Sequence, residues 1–342
     1  MGVLEVLVNN MLLFDKNMKV ILITGGAGFI GSNLILYFLK KYPEYIILNV
    51  DCLTYASNLE NLELTKSYNN YHFINCDIRN RTRLEDIFKE FNPQGIIHLA
   101  AESHVDNSIS NPNIFAETNV IGTLNLLNLA LKYKVGRFHH VSTDEVFGSL
   151  TLTESSSLEN SLYKPRSPYS ASKASSDHFV SSFYHTFGLD TVMTNCSNNF
   201  GPHQHDEKLL PTIIRNLVNR DEIPVYGDGK NIRDWLYVED HCTAIDLVFH
   251  EGRSGESYNI GGDMELTNLE IIDKISFLFD SLTNNMDSHK LKKFVKDRPG
   301  HDLRYSINHD KITNELGWLP NMDFDSHLIH TIKYYIKRYE TQ

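Results

Sequence analysis

Thr24-Gly25-Gly26-Ala27-Gly28-Phe29-Ile30-Gly31 follows the apolar run Lys19-Val-Ile-Leu-Ile-Thr24 and opens a helix-like stretch, Phe29 to Lys41. Its glycines at 25, 28 and 31 are spaced G-x-x-G-x-x-G. The first permits a tight turn, the second lets backbone approach a pyrophosphate, and the third permits close helix–strand packing. The helix start then offers unpaired N–H groups and a positive dipole end to phosphates. A strand, this turn and a helix form the first unit of a dinucleotide-binding sheet.

The pattern continues outward. Short apolar runs predict further strands at Tyr45–Val50, Tyr71–Asn75, Gly95–Ala100, Arg137–Val141 and Asp190–Thr194. Helices are expected at Arg81–Phe91, Ile114–Tyr133 and Pro168–Phe187. Apolar runs without alternation suit strands buried on both faces, as in a parallel sheet. The fold class is therefore α/β, a Rossmann-like doubly wound parallel sheet with a smaller, discontinuous α/β substrate domain. Residues 1–17 read as an N-terminal extension ahead of Met18, and 18–194 as the nucleotide-binding domain. A return to the main sheet is expected at 235–262, including a helix near Asp240–His250 and a strand Ser257–Ile260. Segments 195–234 and 263–342, rich in Pro- and Gly-bearing loops, form the second domain.

Composition narrows the function. The 32 Lys and Arg against 43 Asp and Glu give a net charge of −11, which disfavours a nucleic-acid partner. The four cysteines lack C-x-x-C spacing and read as reduced thiols of a cytoplasmic protein. With no unbroken apolar run of about 18 residues, no membrane partner is expected. His203-Gln-His205 and His139-His140 invite a zinc reading, but spacing places no third ligand, so no metal is assigned.

The strand ends carry candidate ligands. Asp51, 20 residues beyond Gly31, can accept both ribose hydroxyls and would repel a 2′-phosphate, favouring NAD over NADP. Asp77-Ile78 can meet the adenine amino group, and Leu99-Ala100-Ala101 lets a cofactor lie close. Ser142-Thr143-Asp144-Glu145 follows the fifth strand. Tyr169 and Lys173, four apart, share a helix face. A lysine ammonium near the phenol lowers the tyrosine pKa, so Tyr169 can take a hydroxyl proton while hydride leaves the same carbon for a nicotinamide.

Together these stretches resemble the extended short-chain dehydrogenase/reductase superfamily, and within it the dTDP-glucose 4,6-dehydratase family. The likeness lies in Leu99–Asp106, Ser142–Gly148, Pro168–Lys173, Asn195–Pro202, Pro224–Trp235 and Asp297–His301, and runs from about Met18 to the C-terminal helix. It implies bound NAD, and oxidation of dTDP-glucose at C4. Proton loss at C5 and water loss at C6 follow, with the hydride then returned to C6. In that pattern Glu145 is the C5 base, Asp144 protonates the leaving oxygen, Thr143 bonds the C4 oxygen and Tyr169 is the C4–OH base. Adjacent carboxylates in a closed site split their pKa values, as such roles require.

By the same likeness, Phe29, Ile30, Leu53, Thr54, Thr118 and Asn199 join the cofactor ligands. Ser103, Asn198, Lys208, Leu209 and Asn268 join the substrate ligands, Pro224 and Tyr226 flank the base, and His301 lies near the deoxyribose or phosphate. Arg233 and Arg298 are candidates for the diphosphate, since guanidinium binds phosphate oxygens bidentately. Phe147 and Phe200 stand where the family often has Tyr, and residues 203–206 also depart from its pattern. The likeness further implies a homodimer through a four-helix bundle of Ile114–Tyr133 and Pro168–Phe187. A UDP-glucose 4,6-dehydratase, an NAD-dependent nucleotide-sugar epimerase and a non-catalytic NAD-binding regulator stay open as alternatives. The Asp144-Glu145 pair argues against the epimerase, and Tyr169, Lys173 and both carboxylates against the regulator.

Overall fold

A computed structural model describes residues 18–297 and 301–340. The expected extension at 1–17, and Arg298, lie outside the described residues.

Strands β1 (Lys19–Thr24), β2 (Tyr45–Asp51), β3 (Tyr71–Asn75), β4 (Gly95–His98), β5 (Arg137–Thr143) and β6 (Thr191–Cys196) alternate with helices. The helices are α1 (Phe29–Lys41), α2 (Arg81–Phe91), the short α3 (Val105–Ser110), α4 (Pro112–Lys132) and α5 (Pro168–Phe187). Then follow β7 (Asn198–Phe200), α6 (Leu209–Asn219), β8 (Ile223–Tyr226), β9 (Ile232–Tyr237), α7 (Val238–Glu251) and β10 (Ser257–Ile260). The chain continues through β11 (Glu265–Thr267), α8 (Asn268–Thr283), β12 (Lys292–Val295), α9 (Asp310–Leu316) and α10 (Phe324–Glu340).

Seven strands form one sheet in the order β10-β6-β5-β4-β1-β2-β3, every pairing parallel. Continuous apolar strands are what such a sheet demands, because both faces are covered. Val20, Leu22, Ile46 and Leu48 pack on one side with Phe88, Leu126 and Leu127. Ile21, Ile23 and Ile47 pack on the other with Leu34, Phe38 and Ile245. Strand order reverses between β1 and β4, and such a switch point opens a crevice beyond the strand C-termini. Two small sheets, β11-β9-β7 and β12-β8, lie outside the main one.

Strands β2, β5 and β6 run one or two residues past their expected ends, and two further differences shape the site. β4 stops at His98 rather than Ala100, because the Leu99 and Ala100 amides turn to Thr24, to its carbonyl at 3.3 Å and its hydroxyl at 3.1 Å. The helix expected from Ile114 starts at Pro112 and is interrupted by a wide turn of i→i+5 bonding over Ala116–Gly122. Asn119 in that turn spends its side chain on Glu102 and Ser172, and Gly122 backs directly onto Ile78. This helix is long and apolar enough to cross a membrane, yet half of it is buried inside the fold.

Candidate active site

The crevice is floored by the strand ends. It is lined by Gly25, Gly28, Phe29, Ile30 and Gly31 after β1, Asp51 and Thr54 after β2, and Asp77 and Ile78 after β3. Leu99, Ala100, Ala101 and Ser103 follow β4, Thr118 comes from α4, Thr143 ends β5, and Asp144 and Glu145 follow it. Tyr169 and Lys173 enter from α5, Asn198 and Asn199 from β7, and Lys208 from the start of α6. Gly25 has φ +73°, a left-handed conformation, and a Cβ there would sit 2.7 Å from the Ala100 nitrogen. A Cβ on Gly31 would sit 2.2 Å from the Gly25 carbonyl oxygen, so close packing of turn on helix requires glycine. No side chain caps α1, which leaves its first amides for an anionic ligand.

Asp51 ties this turn to its own strand. Its carboxylate accepts from Ala27 N at 2.9 Å, Leu53 N at 2.8 Å and Ser57 Oγ at 2.9 Å. Asp77, expected at adenine, is engaged by the Arg79 guanidinium from 2.6 Å and by its amide. Below the crevice runs a directed chain of hydrogen bonds. Ala100 N–H donates to Thr24 Oγ1, Thr24 lies 2.7 Å from His98 Nδ1, and His98 Nε2 lies 2.9 Å from Thr123 Oγ1. The Thr123 hydroxyl donates in turn to the Asn119 carbonyl. With every hydroxyl donating onward, the His98 proton sits on Nε2, and burial holds the ring neutral.

Chemistry-bearing groups converge at the β5 end. Asp144 is buried, with one oxygen accepting from Thr143 Oγ1 at 3.3 Å and the other unpartnered. Burial, then Glu145 and Asp234, push its carboxyl far above the usual carboxylate range. The Glu145 amide donates to Thr143 Oγ1 at 3.3 Å. Tyr169 is buried, with Thr143 as a hydrogen-bond partner. Its pKa stands well above 10, because burial and the Glu145 charge raise it. This reverses the expected lowering. Lys173 turns aside, donating to the Val141 carbonyl at 2.9 Å and lying 3.3 Å from His140 Nε2.

The family model of GDP-mannose 4,6 dehydratase matches residues 22–331. A dTDP-glucose 4,6-dehydratase of Haemophilus influenzae is 48% identical over 330 residues, covering 92% of this chain and 97% of that protein. The chain belongs to the dTDP-glucose 4,6-dehydratase family. The crystal structure of such a dehydratase from Streptomyces venezuelae, with NAD and dTDP bound, matches with a TM-score of 0.88 at 43% identity. That match covers 94% of this chain and 98% of the other. The UDP-glucose 4-epimerase of Thermotoga maritima shares the fold at 28% identity and a TM-score of 0.84, covering 93% and 99%. This dehydratase-family chain is an NAD-dependent hydro-lyase, and the uncapped α1 start, the Gly25–Gly31 turn and Asp51 fit that cofactor.

Not every anticipated ligand of the dehydratase reaches the crevice. Leu53, Leu209, Pro224, Tyr226, Arg233, Asn268 and His301 do not line it. Arg233 lies over the Tyr305 ring at 4.6 Å and donates to the Ile232 and Asp302 carbonyls, though its charge still acts on Asp144. His301 Nδ1 lies 2.7 Å from Asp297. Residues the sequence reading missed also line the crevice, among them Cys52, Cys76, Arg79, Glu102, Ser142, Gln204 and Glu207. Most lie one or two positions from a predicted ligand, so the strand-end rule extended by a residue finds them. Asp177, one turn beyond Lys173 on α5, had the i, i+4 signal. Of the four histidines, His203 Nδ1 lies 2.9 Å from Ser32 Oγ and His139 Nε2 lies 3.0 Å from Thr194 Oγ1, while His205 lines the crevice.

Proposed function

We propose that this chain converts dTDP-glucose to dTDP-4-keto-6-deoxyglucose and water, with Tyr169, Lys173, Thr143, Asp144 and Glu145 as the working groups. The observation that carries the reading is the meeting, in one crevice with the nucleotide turn, of a Tyr–Lys pair and two carboxylates in unlike surroundings. Bound NAD supplies a two-electron acceptor that is regenerated within each turnover. Tyr169, held as the phenolate beforehand by the Lys173 ammonium, takes the C4 hydroxyl proton and becomes the neutral phenol while Thr143 holds the oxygen. The 4-keto group then acidifies C5–H, which Glu145 removes. Asp144, kept protonated by burial, gives its proton to the departing C6 oxygen, and water leaves. The two electrons taken from C4 return to C6.

The nucleotide half is assigned to Asn198 and Lys208 in the crevice, and to Arg233, Arg298, Asn268, Pro224, Tyr226 and His301 of the second lobe, made of 195–234 and 263–342. Asn199, Thr118 and Ser103 complete the cofactor and sugar contacts. We place the enzyme in the cytoplasm, as a homodimer joined by α4 and α5. Incubation with C4-deuterated dTDP-glucose tests the reaction: product mass spectrometry should find the label in the new methyl group. Product without label there would refute it, and UDP-glucose run in parallel decides the base.

A further inference from the structure

Tyr169, Lys173 and Asp177 recur every four residues on α5, so they form one stripe facing β5. All three are buried. Asp177 Oδ2 accepts from Ser142 Oγ at 2.8 Å and from Tyr163 OH at 3.0 Å. Asp177 Oδ1 lies 3.2 Å from His140 Nε2, the same nitrogen that lies 3.3 Å from Lys173 Nζ. One imidazole nitrogen thus stands between an ammonium and a carboxylate. Asp177 Oδ1 takes no hydrogen bond at that distance, so the Nε2 lone pair is left to the Lys173 ammonium while the carboxylate acts on it by charge, and His140 Nδ1 has no hydrogen-bond partner.

We propose that Asp177, acting across His140, is a positioning residue that keeps Lys173 charged and held at the Val141 carbonyl, one helical turn from Tyr169. This rests on the dehydratase reading for its kinetic consequence, but not for the state of Lys173 itself. An ammonium without water needs a counter-charge, since burial alone drives lysine toward its neutral form. Lys173 shows that pressure, and Asp177 opposes it ahead of Cys196. The Asp177 carboxyl is itself held below the usual range: burial raises it, and His140, Lys173 and Ser142 together outweigh burial. The other groups around His140 are accounted for. His98 of β4 lies 5.2 Å away between ring centres, tilted, and is neutral, and Tyr163 is a hydrogen-bond donor to Asp177.

Competitive acetylation of the holoenzyme, read on the Lys173 peptide by mass spectrometry, measures the neutral fraction of this amine across pH. It does so whether or not dTDP-glucose is turned over. Asp177→Asn should raise labelling at fixed pH by tenfold or more, and Asp177→Glu should restore most of the original profile. His140→Gln leaves the carboxylate in place and, should D177N not fold, carries the test with a smaller change in the same direction. With dTDP-glucose, the alkaline limb of the kcat profile should move to lower pH in D177N. Labelling that is the same in wild type, D177N and H140Q would overturn the proposal. A wild-type enzyme inert to dTDP-glucose would instead overturn the dehydratase reading and leave the acetylation result standing.

Discussion

Asp144 and Glu145 are neighbours in the chain, yet only Asp144 is enclosed to 3% exposure with an oxygen left unpartnered. A carboxyl in that position is a proton store. Asp144→Asn keeps its shape and removes the transferable proton. It should slow water loss by on the order of 10²- to 10⁴-fold while solvent deuterium still enters at C5. Glu145→Gln should abolish that exchange. Rapid-quench mass spectrometry separates the two, and exchange that survives in E145Q would remove Glu145 from the base role. At this scale the sequence shows which residues gather, since Ser142–Glu145 and Tyr169–Lys173 are contiguous or one helical turn apart. It does not show their electrostatics. The Tyr169 pKa rises where a fall was expected, because burial and the Glu145 charge outweigh the Thr143 hydrogen bond, and the lysine points to the Val141 carbonyl. Those are tertiary facts that no local spacing encodes.

Elements set how tightly the crevice is framed. In the turn before α1, Gly31→Ala would drive a methyl group against the Gly25 carbonyl. The expected cost is about 1–3 kcal/mol of stability with weakened NAD binding, measured by thermal unfolding and calorimetric titration. Away from the crevice, Asp246 of α7 is clasped by α1. It accepts from Tyr37 OH at 2.9 Å, Tyr42 OH at 2.8 Å and Lys41 Nζ at 2.5 Å, with His250 Nδ1 at 2.8 Å. Burial would raise its carboxyl, but bonds from His250, Lys41, Tyr42 and Tyr37 hold it near 2. A folded pKa below the ordinary 3.8 means stabilisation that is complete above about pH 4 and is lost as pH falls through 2. It amounts to about 2 kcal/mol, and Asp246→Asn should flatten that acid limb in urea titrations. The wide turn in α4 was not legible in the sequence. Helical periodicity survives one inserted residue, and only the packing of Asn119 and Gly122 shows why the insertion is kept.

Across the whole molecule, the βαβ rhythm from Lys19 to Cys196 was readable because each parallel strand is buried on both faces. The small sheets were not, since β7, β9 and β11 come from three separated segments whose pairing needs the finished fold. Ile121 on α4 and Phe179 and Phe187 on α5 are exposed, together with Ile109 of α3. Isolated apolar residues mean little, but four on three helices are what the expected α4–α5 dimer would cover. Light scattering should return twice the chain mass of 39.3 kDa, and Ile121→Asp should halve it. A wild-type value of one chain mass would exclude the α4–α5 dimer.

Of the four free cysteines only Cys52 is exposed, and it sits on the crevice wall beside Asp51. Burial of its sulfur and the neighbouring Asp77 and Asp51 push the thiol up to about 11, so it reacts slowly at neutral pH. A thiol-directed fluorophore applied under mildly alkaline conditions would therefore mark one position, and occupancy of the crevice would shield it. The protein carries a built-in attachment point for an optical gauge of how tightly it retains its dinucleotide.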